Sequence, residues 1–120
     1  MERVHNASII DGLRVVQDMD EAVKTLKNGE MIARFEFGDS MRPILVSGQY
    51  ARLSPIHDVP HIGDAVLCCV NGYWMTHMVW NVNYATKYCL IGTSQGDMYG
   101  WTNEVLAIAT PLPYIETKDV

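Results

Sequence analysis

The arrangement of apolar and polar residues changes near residue 30 of the 120-residue chain. Before that point, four apolar residues recur at spacings of three and four, which predicts one face of a helix: Met19, Ala22, Val23 and Leu26. Asp18 is the predicted N-cap, and Glu21, three residues later, is predicted to complete a capping box. Asn28-Gly29 tolerates the left-handed backbone that often ends a helix. The sequence therefore predicts a helix within about Asp18 to Asn28.

From Met31 onward, short apolar or alternating runs are separated by turn signals, a pattern typical of strands. Asn71-Gly72 lies between two such runs and predicts a type I′ hairpin, and Asp11-Gly12 does the same near the N-terminus. The pattern predicts a mainly β fold, a small barrel or sandwich of short strands with one N-terminal helix. The predicted core consists of Val66, Leu67, Val70, Val79, Leu90, Ile91, Leu106 and Ile108.

The length of the chain favours one domain. We expect residues 1–30 to form a hairpin and a helix that pack on a β domain of residues 31–110. Residues 111–120, with two prolines and mixed charge, are expected to form a loose tail. The glycine-rich segment 92–100 predicts a turn, and Trp101 is expected to pack over its Gly96–Gly100 part.

Composition excludes several classes of function. Apolar residues make up 48% of the chain and charged residues 19%, as in an ordinary globular domain. The net charge of −5 and the lack of a basic run argue against nucleic acid as a partner. The longest apolar run, 65–70, is far shorter than the about 20 residues of a membrane-spanning helix, and the N-terminus lacks an apolar signal-peptide core. We therefore expect a cytoplasmic protein without membrane contact, whose Cys68, Cys69 and Cys89 are buried reduced thiols.

Four short motifs follow one another along the chain. The first is a turn between two strand-like runs, in which Gly38 supplies flexibility and Pro43 fixes the backbone near Ser40. The four motifs are Gly38-Asp39-Ser40-Met41-Arg42-Pro43, Ile62-Gly63-Asp64-Ala65-Val66-Leu67, Thr76-His77-Met78-Val79, and Ile91-Gly92-Thr93-Ser94-Gln95-Gly96-Asp97 with Gly100-Trp101-Thr102. Together they resemble the motifs of the serine peptidases that include LexA-type self-cleaving repressors and signal peptidases. The resemblance covers about residues 35–108 and implies a peptidase fold of this type.

The resemblance implies that Ser40 is a nucleophile and that its base lies in the third motif. A serine hydroxyl is a weak nucleophile until a nearby base removes its proton. Most relatives use a lysine, but none of the lysines here lies in that motif: Lys24, Lys27, Lys87 and Lys118. His77 does, as in the branch of the signal-peptidase-like family that has histidine in place of lysine. We expect His77 in an exposed cleft, mostly neutral at pH 7.

A third group usually orients a histidine of this kind. Asp97 is the first candidate by resemblance, and Asp64 and Asp39 remain alternatives. The oxyanion hole would use the backbone N–H of Ser40 together with a neighbouring amide. The turn that supports this hole consists of Gly38, Asp39 and Met41.

One loop has the spacing of a metal site. His57 and His61 bracket Asp58, and histidine and carboxylate side chains are common metal ligands. Pro60 lies inside the loop and no fourth ligand is evident, so the sequence favours a solvated loop. We therefore expect no metal and no cofactor.

The sequence thus predicts a serine endopeptidase with a Ser40/His77 dyad, with or without assistance from an aspartate, acting on an extended segment of a protein or peptide substrate. The family context favours a stand-alone domain in a bacterial or phage setting. The alternative is a catalytically inactive peptidase-like module for binding or dimerisation, as a homodimer or as a small phage regulatory or inhibitor protein. The distance between the Ser40 hydroxyl and the His77 imidazole distinguishes the two hypotheses.

Overall fold

A computed structural model describes residues 8–36 and 48–113 of the chain. The first element is a two-stranded sheet formed by β1 (Ile9–Ile10) and β2 (Leu13–Arg14). Asp11 and Gly12 join the strands with φ angles of 55° and 75°, which is the backbone that a type I′ turn requires. The hairpin predicted from Asp11-Gly12 is confirmed.

The helix α1 (Met19–Lys27) begins and ends where the sequence predicts. The Asp18 carboxylate accepts a hydrogen bond from the Glu21 N–H at 2.9 Å, so Asp18 is the N-cap. The Glu21 side chain points elsewhere, because its carboxylate lies 3.4 Å from the Arg14 guanidinium. Only half of the predicted capping box is therefore present. Within the described residues, no helix is long and apolar enough to cross a bilayer.

Among the described residues, the larger sheet has seven strands, and all of its strand pairs are antiparallel. Its strands are β3 (Ile32–Glu36), β4 (Gln49–Pro55), β5 (Ala65–Val70), β6 (Tyr73–Asn83), β7 (Tyr88–Gly92), β8 (Met98–Thr102) and β9 (Val105–Pro111). Their order across the sheet is β3-β4-β9-β5-β6-β7-β8. The Asn71-Gly72 turn between β5 and β6 has φ angles of 52° and 86°, as expected for type I′. The prediction of a mainly β fold with one short helix is confirmed.

The strand β5 is buried along its whole length, and its successive side chains enter two different hydrophobic clusters. The helix-side cluster lies between α1 and the sheet and contains Val16, Ala22, Leu26, Ile32, Ala51, Leu53, Ala65, Leu67, Ala107 and Ala109. The far-side cluster lies on the opposite face and contains Val66, Cys68, Val70, Val79, Val82, Cys89 and Ile91. The sheet is therefore covered on both faces at its centre.

The outer edge of β3 is covered by the segment that leads into α1. The Val16 N–H donates to the Ala33 carbonyl at 3.0 Å. The Gln17 side-chain amide then donates to the Phe35 carbonyl at 2.7 Å and accepts from the Phe35 N–H at 2.9 Å. The amide of Gln17 thus satisfies both backbone groups of Phe35, which protects this sheet edge from pairing with another chain.

At the opposite end, the sheet curls until β8 meets β5. The Thr102 hydroxyl donates to the Cys69 carbonyl at 2.6 Å, and the Cys69 N–H donates to the Glu104 carbonyl at 2.9 Å. The backbone at Gly100 lies close to Val70: a Cβ placed on Gly100 would be 3.7 Å from a Val70 methyl group. The curl encloses the far-side cluster between β5, β6, β7 and β8.

The structure departs from the sequence predictions at several places. The segment 98–102, of which residues 98–100 fall in the predicted turn, forms the strand β8. Three residues of the predicted core are only partly buried, namely Leu90, Leu106 and Ile108, while the other five are buried. The strand β9 continues to Pro111, and Leu112 is buried, so the sheet extends past the predicted boundary at residue 110.

The far-side cluster gives a direct test of the packing. Ile91 is fully buried in this cluster, whereas Ile62 is 60% exposed in the turn before β5. We expect Ile91→Ala to lower the free energy of unfolding by about 2–5 kcal/mol, because the truncation leaves a cavity. The matched variant Ile62→Ala is expected to change it by less than about 0.5 kcal/mol. Urea denaturation followed by circular dichroism measures both, and equal effects would contradict this packing.

Candidate active site

His77 lies on β6, directly opposite Val66 of β5. Its side chain lies on the same face of β6 as Met75 and Val79, which pack in or against the far-side cluster. His77 is only 9% exposed, so the expectation of an exposed cleft histidine is wrong. Burial lowers the pKa of His77 below its ordinary value, because the charged imidazolium loses hydration. The imidazole is therefore neutral at pH 7.

An aromatic ring covers His77 at the surface. The ring of Tyr99 on β8 stacks on the imidazole with a centroid distance of 4.7 Å and an angle of 29° between the two planes. Tyr99 itself is 43% exposed. Tyr99 therefore contacts the imidazole with its ring while the residue itself remains partly exposed to solvent.

The turn between β7 and β8 lies beyond the end of the β6–β7 ladder, whose last pair joins Met78 to Gly92. Thr93 organises this turn. Its hydroxyl accepts hydrogen bonds from the N–H groups of Gln95 and Asp97 at 3.3 and 3.1 Å, and its own N–H donates to the Asp97 carbonyl at 2.8 Å. Trp80 also contacts the turn, because its indole N–H donates to the Thr93 carbonyl at 2.9 Å. Trp101, which was expected over this turn, is 48% exposed on β8.

Asp97, the residue predicted to orient His77, is not brought to the imidazole by the contacts of this turn. Asp97 is exposed; its backbone N–H donates to the Thr93 hydroxyl, and its backbone carbonyl accepts from the Thr93 N–H. Desolvation is the cause of the lowered pKa of His77 within the described chain, where no carboxylate acts on it. The role of Asp97 in orienting His77 stays a prediction.

The alternative candidate Asp64 has a structural role. Its carboxylate accepts the His61 N–H at 2.9 Å, and its N–H donates to the His61 carbonyl at 3.1 Å. Its carbonyl accepts the Val79 N–H at 2.9 Å, which attaches this turn to β6. Asp64 therefore holds the Gly-Asp turn before β5, as the structural interpretation of that motif expects. The third candidate, Asp39, lies outside the described residues.

The predicted nucleophile Ser40 lies outside the described residues, as do Gly38, Asp39 and Met41. The two residues that flank their segment are described. The Gly48 N–H donates to the Glu36 carbonyl at 2.9 Å. The two residues that flank the segment 37–47 are therefore in direct contact. This pair of residues is the root of the predicted nucleophile loop.

Glu36 connects this root to the strand that carries His77. Its carboxylate is buried, lies 3.2 Å from the Arg34 guanidinium and approaches the Thr76 hydroxyl. The Thr76 contact lacks good hydrogen-bond geometry, since within the described chain that hydroxyl is buried without a proper partner. Desolvation raises the pKa of Glu36, and the two neighbouring side chains offset only part of this effect. The loop root therefore lies against β6 one residue before His77, on the face that carries Thr76.

The loop of His57, Asp58 and His61, which the sequence favours as a solvated loop, contacts Lys87 through Asp58. The Asp58 carboxylate forms an exposed ion pair with Lys87 at 2.9 Å, and the Lys87 interaction lowers the pKa of Asp58. His57, Asp58 and Lys87 border a pocket of about 210 Å³, which Cys89 and Asn103 also line. Among the described residues, no three histidine, cysteine, aspartate or glutamate side chains are grouped closely enough to hold a metal ion.

The three cysteines are buried and form no disulfide. The Cys68 thiol has a pKa raised to about 12, chiefly because it is desolvated inside the far-side cluster. Burial also raises the pKa of Cys89. Because the thiolate is the reactive form of cysteine, these two residues are unreactive members of the core.

Comparison with known protein families, curated proteins and solved structures finds no match to this chain. The peptidase resemblance therefore rests on the four motifs alone. Three residues of the site were missed from the sequence: Tyr99, Glu36 and Thr93. Tyr99 lay in a segment interpreted as a turn, and the burial of Glu36 depends on its contact with β6, which the local sequence does not indicate.

The buried carboxylate of Glu36 gives the site a pH signature. Its pKa is higher in the folded protein than in the unfolded chain, so its contribution to stability is complete below the unfolded pKa and is lost as the pH rises through the folded pKa. We therefore expect the free energy of unfolding of Glu36→Gln, minus that of wild type, to increase as the pH rises from 4 to 7. Urea denaturation of both proteins at each pH measures this difference.

Glu30 is the matched control for this titration. A hydrogen bond from Arg14 lowers the pKa of Glu30, so its contribution is present above the unfolded pKa and is lost as the pH falls. Glu30→Gln should therefore show the opposite trend between pH 7 and pH 4. A Glu36→Gln variant with the same pH trend as Glu30→Gln would contradict the buried position of Glu36.

Proposed function

We propose that this protein is a serine endopeptidase in which Ser40 is the nucleophile and His77 the general base. The observation that carries the proposal is the environment of His77, a histidine in the base motif that burial keeps neutral at pH 7. Neutral imidazole accepts a proton without the strong desolvation that a lysine base needs. The four ordered motifs support the identity of the nucleophile.

The position of the loop root supports the pairing of these two residues. Glu36 contacts Thr76, the neighbour of His77 on β6. Thr76 and His77 point to opposite faces of the strand. Four peptide units separate Glu36 from Ser40 in the sequence, a span of up to about 14 Å, which is long enough to pass from one face of a strand to the other.

The reaction follows from the chemistry of the two groups. The Ser40 oxygen attacks the scissile carbonyl carbon while His77 takes the hydroxyl proton, and an oxyanion forms. The backbone N–H of Ser40 and a neighbouring amide are proposed to stabilise this oxyanion. His77 then gives the proton to the leaving amine, and the C–N bond breaks. Water, activated by the same imidazole, hydrolyses the acyl-enzyme and restores Ser40.

The substrate is proposed to be an extended peptide segment. The ladder between β6 and β7 begins at Met78, so residues 73–76 of β6 pair only with β5 among the described strands. A peptide added beside these residues would gain backbone hydrogen bonds and run directly toward His77. The resemblance favours small side chains before the scissile bond.

The proposed location is the cytoplasm. Three cysteines that form no disulfide are compatible with a reducing compartment.

A second candidate function is that of an inactive peptidase-like module for binding or dimerisation. The observation that favours it is the set of large apolar side chains exposed on β8, namely Met98, Tyr99 and Trp101. Aromatic residues and methionine are enriched at protein interfaces. A module of this kind would bind a peptide or a second copy without cleaving it, and would not react with a serine-directed probe.

The dyad makes a prediction about pH. Burial lowers the pKa of His77, and the neutral form is the base, so activity should rise as the pH increases through a midpoint below 6.5. The pH profile of kcat/KM for a peptide substrate measures this midpoint. A profile whose acidic limb lies above pH 7 would exclude His77 as the base in this environment.

The nucleophile is tested by covalent labelling. We expect a fluorophosphonate probe to modify the wild-type protein at Ser40 and to leave Ser40→Ala unmodified. Ser54→Ala is the matched control, because Ser54 lies on β4, three strands from β6 in the sheet, and it should label like wild type. His77→Gln should lower the labelling rate by at least about a hundredfold, since the serine then lacks its base.

Intact-protein mass spectrometry measures the labelling, and circular dichroism checks the fold of each variant. Labelling that survives Ser40→Ala would eliminate the dyad. A well-folded wild-type protein that does not react with the probe would favour the binding module.

A further inference from the structure

We propose that Tyr99 is a positioning residue for His77, which fixes the plane of the imidazole ring and excludes water from one of its faces. This inference deepens the proposed function, since it assigns a further residue to the same site. It rests on the stacked geometry of the two rings, with centroids 4.7 Å apart and planes at 29°. A stacked ring at this distance restricts rotation of the imidazole about its side-chain bonds.

The backbone of β8 holds Tyr99 at this position through an irregularity in the sheet. Ile91 pairs with Gly100 and Gly92 pairs with Met98, so Tyr99 is the extra residue in the β7–β8 ladder. Bulges of this kind change the direction of a side chain and are common beside active sites. Gly100 has a φ of 141°, which L side chains rarely adopt, so a glycine is required next to Tyr99.

Further contacts fix the bulge from both sides. The Asn71 side-chain amide donates to the Tyr99 carbonyl at 3.4 Å, which connects β8 to the β5–β6 turn. On the other side, Gly92 has no room for a side chain, because a Cβ there would lie 2.7 Å from the Asp97 carbonyl oxygen. The bulge is thus held between two turns, and Tyr99 has a defined place over the imidazole.

Among the described residues around His77, Tyr99 is the partly exposed side chain that contacts the imidazole. Val66 is the cross-strand neighbour on β5, and Met75 and Val79 are the same-face neighbours on β6, all of them apolar. The phenol of Tyr99 is the titratable group that faces the imidazole from β8. Within the described residues no charged group contributes to the lowered pKa of His77, whose cause there is desolvation. Removal of the Tyr99 ring should therefore hydrate His77.

The test is an NMR titration of the His77 imidazole protons in the full-length protein, assigned with His77→Gln. We expect Tyr99→Ala to move the titration midpoint of His77 upward toward about 6.5, and Tyr99→Phe to leave it at the wild-type value. Trp101→Ala is the matched control, because Trp101 is an aromatic residue of the same strand with similar exposure, 48% against 43% for Tyr99. It should titrate like wild type.

A second variant and a second readout keep the test informative if Tyr99→Ala folds poorly. Tyr99→Leu keeps an apolar side chain but has no ring current, so the His77 ring protons should lose the upfield displacement that a stacked phenol causes. A His77 midpoint and proton shifts that are unchanged in Tyr99→Leu and Tyr99→Ala would overturn the proposal.

The kinetic readout separates positioning from a general loss of stability. In Tyr99→Ala, kcat should fall by about tenfold or more and the acidic limb of the pH profile should move upward, while Tyr99→Phe retains both. Equal kinetic losses in Tyr99→Phe and Tyr99→Ala would overturn the positioning role. If the wild-type protein cleaves no peptide, the proposed function fails, while the NMR titration still decides whether Tyr99 covers and desolvates His77.

Discussion

The fold depends on covering both faces of β5. All six residues of this strand are buried; Ala65 and Leu67 belong to the helix-side cluster, and Val66, Cys68 and Val70 belong to the far-side cluster. Burying apolar surface is the main favourable term in folding, so each face needs its own cover. The helix α1 covers one face. The curl of β6, β7 and β8 covers the other, and the hydrogen bond from Thr102 to Cys69 holds the curl in place.

The environment of His77 follows from this constraint. His77 is opposite Val66, so it lies on the face that the curl encloses. The same curl brings β8 over that face and places Tyr99 on the imidazole. Burial on this enclosed face lowers the pKa of His77, because the charged imidazolium loses hydration. The packing of the core and the protonation state of the candidate base therefore have one physical cause.

Local features of the fold could be predicted from the sequence. The two hairpins and the helix depend on neighbouring residues, as in the positive φ angles of Asn71-Gly72 and the cap formed by Asp18. The motif that contains His77 was also found from the sequence alone.

Features that depend on distant contacts could not be predicted. The strand β8 was missed because Gly96 and Gly100 indicate a turn locally, whereas pairing with β7 decides the conformation. The burial of Glu36 depends on the approach of β6, whose Thr76 lies near the carboxylate, and the sequence around Glu36 does not indicate that approach. The burial of His77 and the stacking of Tyr99 depend in the same way on the curl of the sheet.

The most direct test of the proposed dyad is the distance between the Ser40 hydroxyl oxygen and the nearer nitrogen of the His77 imidazole. A crystal structure of the protein, free or with a phosphonate bound to Ser40, measures this distance. In the free protein we predict about 2.6–3.2 Å, or a slightly longer contact that shortens when a ligand binds. A structure in which Ser40 lies with Thr76 on the opposite face of β6 from His77 would contradict the dyad and favour the binding module.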